Sequence, residues 1–413
     1  MSADRLTAPG SRLTAPVPPF DYVLGGVPRY RAEAPWAWRL LVRYARRTPA
    51  ARRVEAPGRD PLVADAAGES ALVLVQADPE SYLLPDAAER LVAGLAARPD
   101  LALLAPVSNE SVSDAERSAP ACAYSTPSQL ESEVRRRAAA GVPAAEAPPG
   151  APVRSPVYAV RRSALAGLPP AMALRDAAEA IGARGLPCAV DPGAYVHRYG
   201  EMDASSRDDL AERVPEGAAA VLDVGCSRGA TAAALRARGV ARIVGIEPDA
   251  EDAAAAAQAY DRVFASTLEE VTEDLGGAFD AIFFGDVLEH LPDPSDALSR
   301  VLPWLSPRGV VVASVPNSGH WSVVADLLRG RFDYVPYSVL SGTHVRLFTR
   351  RTLEDLFAAS GYEVESVDAV TLPPHPEDTP RYELLRAFPG ASEDLGAVEF
   401  IAVARAAGLH SRG

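Results

Sequence analysis

Val221-Leu222-Asp223-Val224-Gly225-Cys226-Ser227-Arg228-Gly229 decides the fold of this 413-residue chain. An apolar run that predicts a strand enters a Gly-x-x-x-Gly turn and then an Ala-rich helix over residues 230–238. Such a turn presents backbone N–H groups and a helix N-terminus to a ligand. Glycine also lets the main chain pass close to it. Downstream, a second apolar strand (241–246) ends in Glu247-Pro248, where an acid can accept both hydroxyls of a ribose. With glycines at 225 and 229 and Ser227 between them, the turn is not the dinucleotide fingerprint Gly-x-Gly-x-x-Gly.

Strand and helix patterns alternate from residue 219 onward. Strands are predicted near 219–224, 242–246, 261–265, 280–285 and 309–315, with helices at about 230–238, 249–259, 267–275 and 294–304. That alternation argues a parallel, doubly wound α/β sheet. A helix at 351–360, a strand at 362–370, a Pro-rich loop over 372–392 and a strand at 397–403 complete it. The fourth strand runs into Phe284-Gly285-Asp286-Val287-Leu288-Glu289-His290-Leu291, and Gly342-Thr343-His344-Val345-Arg346-Leu347-Phe348-Thr349 follows later.

Together these segments resemble the class I S-adenosylmethionine (SAM) dependent methyltransferases, in particular a subgroup with an Asp-Val-Leu-Glu-His-Leu signature. The resemblance covers residues 201–413 and implies a seven-stranded, doubly wound, Rossmann-like sheet. It also implies SAM contacts from Asp223, Gly225, Cys226, Ser227, Gly229, Glu247, Pro248, Ser266, Thr267, Gly285 and Asp286. Relatives often carry Gly-Asp at the third strand's end, where this chain has Ala265-Ser266; Ser266 either meets the adenine or caps the helix predicted from Thr267. His290, Glu289 and His344 are the candidate catalytic residues, an imidazole being suited to deprotonating a hydroxyl near neutral pH. The competing reading is a divalent metal held by Asp286, Glu289, His290 and His344. Asn317 either orients a substrate or caps the next helix, and Phe332, Tyr334 and Tyr337 are candidate lid residues.

The first 200 residues read differently. Residues 1–60, rich in Pro and Arg, are expected as an arm, with one candidate helix at 37–47. Residues 61–200 show short strands at 71–76, 101–106, 156–160 and 188–190 and helices at 86–97 and 174–184. Strand 71–76, ending in Ala77-Asp78, and the segment Ala194-Tyr195-Val196-His197 resemble part of a family 2 glycosyltransferase domain. The family's opening strand and nucleotide-binding turn find no match in residues 1–70, so this half is expected to be a partial, degenerate α/β domain of the GT-A type.

Composition bounds the partners. The net charge is −14, and there is no lysine. Residues 1–200 hold 23 Arg against 21 acidic residues, whereas 201–413 hold 18 against 34. A field of that sign repels phosphate backbones and disfavours a nucleic-acid substrate. The apolar runs are strand-sized, far short of the ~20 residues of a membrane span. The N-terminus lacks an apolar h-region, and Cys122, Cys188 and Cys226 have no metal or disulfide spacing, so a cytoplasmic protein is expected. The sequence carries no signal of oligomeric state. The function expected is methylation of a sugar hydroxyl on a glycan or its precursor. A bifunctional glycosyltransferase/methyltransferase and a noncatalytic SAM-binding scaffold are the alternatives.

Overall fold

The computed structural model describes residues 17–24, 52–55, 61–77, 81–83, 85–108, 157–198 and 206–408 except 276 and 335–337, with isolated positions between 126 and 155. The chain divides into two compact units with the boundary between Gly200 and Glu201.

The first unit is built on strands β1 (Asp21–Leu24), β2 (Arg52–Glu55), β3 (Leu72–Gln76), β4 (Ser81–Leu83), β5 (Leu103–Ser108), β6 (Ala145–Glu146), β7 (Val157–Arg161) and β8 (Cys188–Arg198). Their order is β2-β1-β3-β7-β5-β8-β4, with β6 on β8. β1 is parallel to β2 and β3, while β7 runs antiparallel to β3 and β5. Alternate residues feed the two faces: Tyr22, Leu74 and Ala159 pack into one core, Val23, Val75 and Tyr158 into the other. Residues 1–60, expected as an arm, thus supply two strands of this sheet. Each is four residues long, too short for a visible period, and each gains its hydrogen bonds from register with a neighbour. The helix expected at 37–47 and the acid Asp78 lie outside the described residues. β8 runs well past the expected 188–190. Its register against β5 shifts after Pro106, where Asp191 accepts the Gly193 N–H at 2.9 Å and pairs with Arg90 at 2.7 Å.

The second unit holds β9 (Ala220–Val224), β10 (Arg242–Ile246), β11 (Arg262–Phe264), β12 (Phe279–Gly285), β13 (Leu305–Pro316), β14 (Tyr362–Thr371) and β15 (Ala397–Ala406). Their order is β11-β10-β9-β12-β13-β15-β14. The first five strands are parallel, and β15 inserts antiparallel between β13 and β14. Strand order reverses at β9, so the carboxyl ends of β9, β10 and β12 form the crevice where such sheets take ligands. Leu222, Ile282 and Val311 face one buried core, while Val221, Phe283 and Val312 face the other.

Helix starts follow side-chain capping. Asp249 accepts from the N–H groups of Glu251 and Asp252, and Asp293 from those of Ser295 and Asp296. The helix expected over 267–275 is only a 3-10 turn, Leu268–Glu270. Thr267 and Glu270 close a capping box there, but Val271-Thr272 and Gly276-Gly277 give the helix nothing to grow through. Conversely, the expected Pro-rich loop contains a helix, Thr379–Arg386, with Pro380 in its first turn, where a missing N–H costs nothing. No helix among the described residues is long and apolar enough to cross a membrane.

Candidate active site

The Asp223–Gly229 turn is closed from within. Gly225, Ser227 and Gly229 all have positive φ (75°, 45° and 80°). The N–H groups of Gly225 and Cys226 donate to the Ile246 carbonyl at 2.8 and 3.2 Å, and that of Gly229 to Cys226 at 2.9 Å. Ser227 N–H donates to Glu247 at 2.9 Å, and the other Glu247 oxygen takes the Asp249 N–H, also at 2.9 Å. Sequence reading expected these amides to be bare, and four of them are spent inside the protein. The glycines answer to packing as well: a Cβ on Gly225 would stand 2.5 Å from Val287 Cγ2, one on Gly229 2.9 Å from the Ala256 backbone, and one on Gly285 2.9 Å from Leu210.

What the turn offers instead is acid. Asp223 is buried, with Tyr260 donating its hydroxyl at 2.6 Å. Burial above all, and Glu247 nearby, push the Asp223 carboxyl up to about 6. Glu247 is also buried and, mainly for that reason, titrates above the ordinary carboxyl range. Cys226 is buried with its thiol pushed well up, which makes it inert packing.

Beyond β12, Asp286 sits in the left-handed region at φ 54°. It forms an ion pair with Arg207 and accepts from Ser314 Oγ at 3.0 Å. Arg207 spends all five donors: two on Asp209, two more on Asp286 and Ser314, and one on Glu399 at 2.6 Å. Burial and Asp286 raise the Glu399 carboxyl to about 7 despite Arg207.

Next to this network, Glu289, His290 and His344 bring ligand atoms within 4.8 Å of one another. The histidine rings meet edge-to-face at 4.9 Å. His344 Nδ1 lies 3.0 Å from the Val339 carbonyl, which can only accept, so the proton is on Nδ1 and Nε2 carries a lone pair. Burial, and then His290, lower His344 to about 4, so it is neutral at physiological pH. His290 Nδ1 faces the Thr343 carbonyl at 3.3 Å. Glu289 is almost fully buried, neither of its oxygens has a hydrogen-bond partner among the described residues, and its Oε1 lies 3.9 Å from His344 Nε2. Burial drives its carboxyl well above the ordinary value. The loop that brings in His344 is tied here by the N–H groups of Val345 and Arg346, both donated to the Glu289 carbonyl at 2.9 and 3.0 Å.

Residues 195–367 match a family described as a methyltransferase domain. The second unit carries a SAM-dependent methyltransferase domain. Among curated relatives, a trans-aconitate 2-methyltransferase of Azoarcus sp. is 35% identical over 31% of this chain and 51% of that protein. The human mitochondrial ubiquinone biosynthesis O-methyltransferase is 27% identical over 36% and 42%. The chain thus spans about half the length of these relatives. Solved structures that it resembles include a SAM dependent methyltransferase from Archaeoglobus fulgidus, 16% identical over 48% of this chain and 94% of that one, with a TM-score of 0.36.

The methyltransferase unit's own residues fit SAM. The cofactor presents an ammonium and a sulfonium and no phosphate, so a turn that offers buried carboxylates and keeps its amides for itself suits it better than it suits a dinucleotide. Asp223, Gly225, Cys226, Ser227, Gly229, Glu247 and Pro248 gather around this turn, and Gly285 and Asp286 end the adjoining strand. Ser266 ends the β11 side, and Thr267 is engaged as a helix cap. Of the four metal candidates, Glu289, His290 and His344 come together, whereas Asp286 is committed to Arg207 and Ser314. Asn317 pins the chain at Asp394 and Ala397 through its amide, and His320 caps the helix Trp321–Leu327. Phe332 is exposed, and Tyr337 lies outside the described residues. Sequence reading missed Arg207, Tyr260 and Glu399. Each looks like an ordinary surface or core residue in the sequence, and only strand order reveals its partners.

Proposed function

We propose that this protein transfers the methyl group of SAM to a hydroxyl oxygen of a small-molecule or glycan acceptor, with His290 and His344 taking up the proton. The observation that carries this reading is the His290–His344 pair. Each ring has its Nδ1 against a backbone carbonyl, and the two rings meet edge-to-face at 4.9 Å beside Glu289. SAM supplies an activated methyl, and transfer is an in-line displacement that needs chiefly proximity and desolvation. A hydroxyl acceptor must also lose its proton, and a neutral imidazole accepts it. The relative named as a ubiquinone biosynthesis O-methyltransferase supports an oxygen acceptor.

The sugar side of the proposal draws on the first unit, which we read as a degenerate glycosyltransferase-like domain over residues 61–200 with β1 and β2 added. Strand order reverses at β1, between β2 and β3, and open α/β sheets bind ligands outside the carboxyl ends at such a point. Ala77-Asp78 follows β3 there in the sequence. Titration of the full chain with nucleotide-sugars separates the cases: turnover would favour the bifunctional reading.

A second reading, a divalent ion on Glu289, His290 and His344, is favoured by the two unpartnered Glu289 oxygens. A carboxylate and two imidazoles suit a transition metal, which would lower the pKa of an acceptor hydroxyl. The deciding experiment is methyl transfer from labelled SAM into fractionated small-molecule and glycan pools, with and without EDTA. Label should enter an O-methyl group and fall about 100-fold or more in His290→Ala/His344→Ala. Label on nitrogen or carbon, or an unaffected double variant, would overturn the proposal. Full activity in EDTA would remove the metal.

A further inference from the structure

The structure assigns Tyr260 as a positioning residue for the cofactor: its hydroxyl holds the Asp223 carboxylate in place to receive the ammonium group of SAM. This rests on the SAM assignment of the Asp223–Gly229 turn.

Tyr260 lies between the helix Ala250–Ala256 and β11, with its N–H on the Ala256 carbonyl at 3.0 Å. From there its ring slots under the turn. A Cβ on Gly245 would stand 2.9 Å from Tyr260 Cδ2, and one on Gly229 3.3 Å from Cε1. Gly245, in the middle of β10, and Gly229, at the end of the turn, therefore clear a space shaped for this ring. Phenylalanine would fill that space equally well. The hydroxyl is the part that packing does not need, and it donates to Asp223 Oδ2 at 2.6 Å. A buried carboxylate left without such a donor would turn or take up a proton, and in either case it would lose its hold on a cation.

The groups facing Asp223 are few. Burial and Glu247 push its carboxyl up, Tyr260 and the more distant Arg207 pull it down, and the result is about 6; the Cys226 thiol faces it without titrating in that range. Asp223 is thus ionised at neutral pH by a narrow margin that depends on the Tyr260 hydroxyl.

The test is calorimetric titration of the full-length protein with SAM from pH 5 to 8, for wild type, Tyr260→Phe and Asp223→Asn, with thermal melts to establish that each variant is folded. Wild-type affinity should weaken below about pH 6, near the Asp223 value. In Tyr260→Phe that limb should move up by about one pH unit, the size expected for losing one charge-assisted hydrogen bond. In Asp223→Asn binding should be weaker and the limb absent. A purely structural role would lower affinity equally at all pH values, so an unshifted limb in Tyr260→Phe overturns the proposal. So does a limb that persists in Asp223→Asn, which would assign it to Glu247, or a flat wild-type profile. No SAM binding by the wild type at any pH would instead sink the cofactor assignment on which the proposal rests.

Discussion

Replacing Glu289 by methionine is expected to stabilise the protein. The side chain is 1% exposed and neither carboxyl oxygen has a hydrogen-bond partner among the described residues. Leaving a buried polar group unsatisfied costs about 1–3 kcal/mol, and methionine offers the same length without the polar atoms. In a unit of this size each kcal/mol shifts the melting temperature by about 2–4 °C. The gain should also depend on pH. Burial raises the Glu289 carboxyl well above its ordinary value of 4.5. The folded state therefore keeps a proton that the unfolded chain releases, and wild-type stability falls as pH rises above 4.5. A thioether does not titrate, so the advantage of Glu289→Met should be larger at pH 8 than at pH 5. Urea denaturation with EDTA present, followed through the buried Trp304 and Trp321, reads this out directly. Loss of stability at pH 8, or a gain independent of pH, would refute the reasoning that the buried Glu289 carboxyl costs the fold stability.

Gly225→Ala should cost about 2–5 kcal/mol, combining a residue at φ 75° with a Cβ 2.5 Å from Val287, and SAM binding should be lost with it; a urea midpoint within error of wild type would count against the packing argument. Arg207→Gln leaves Asp286 and Glu399 without their shared cation, with an expected loss of about 1–3 kcal/mol. Glu399 already titrates near 7, so that loss should grow between pH 6 and pH 8, and an equal loss at both would refute it. In the first unit, Gly193→Ala would place a Cβ 2.3 Å from the Arg90 guanidinium and break its pair with Asp191, at an expected cost of about 1–3 kcal/mol measurable by chemical denaturation.

Much of the methyltransferase unit was legible before its structure. All seven strands fall close to their expected positions, because each is an apolar run of strand length bounded by turn residues, and such signals are local. The failures are local too. Residues 267–275 have helix-like composition but start in a closed capping box and end in paired glycines, and the prolines of 372–392 hid a helix that one of them helps to start. In the first unit, β1 and β2 escaped notice because four residues carry no period.

The sequence by itself determined the element order, the turn between β9 and its helix, and the residue types that suit a cationic cofactor. It also marked Glu289, His290 and His344 as worth bringing together. Only the tertiary structure decided who partners whom. Arg207 reaches Asp286 across 79 residues and Glu399 across 192, and Tyr260 reaches Asp223 across 37. These pairings follow from which strands lie side by side and which face each residue takes, and no local spacing encodes that. The same holds for the amides of the Asp223–Gly229 turn. Their donors looked available in the sequence, but the neighbouring strand β10, with Glu247 at its tip, claims three of them, and the Gly229 N–H closes on Cys226 within the turn.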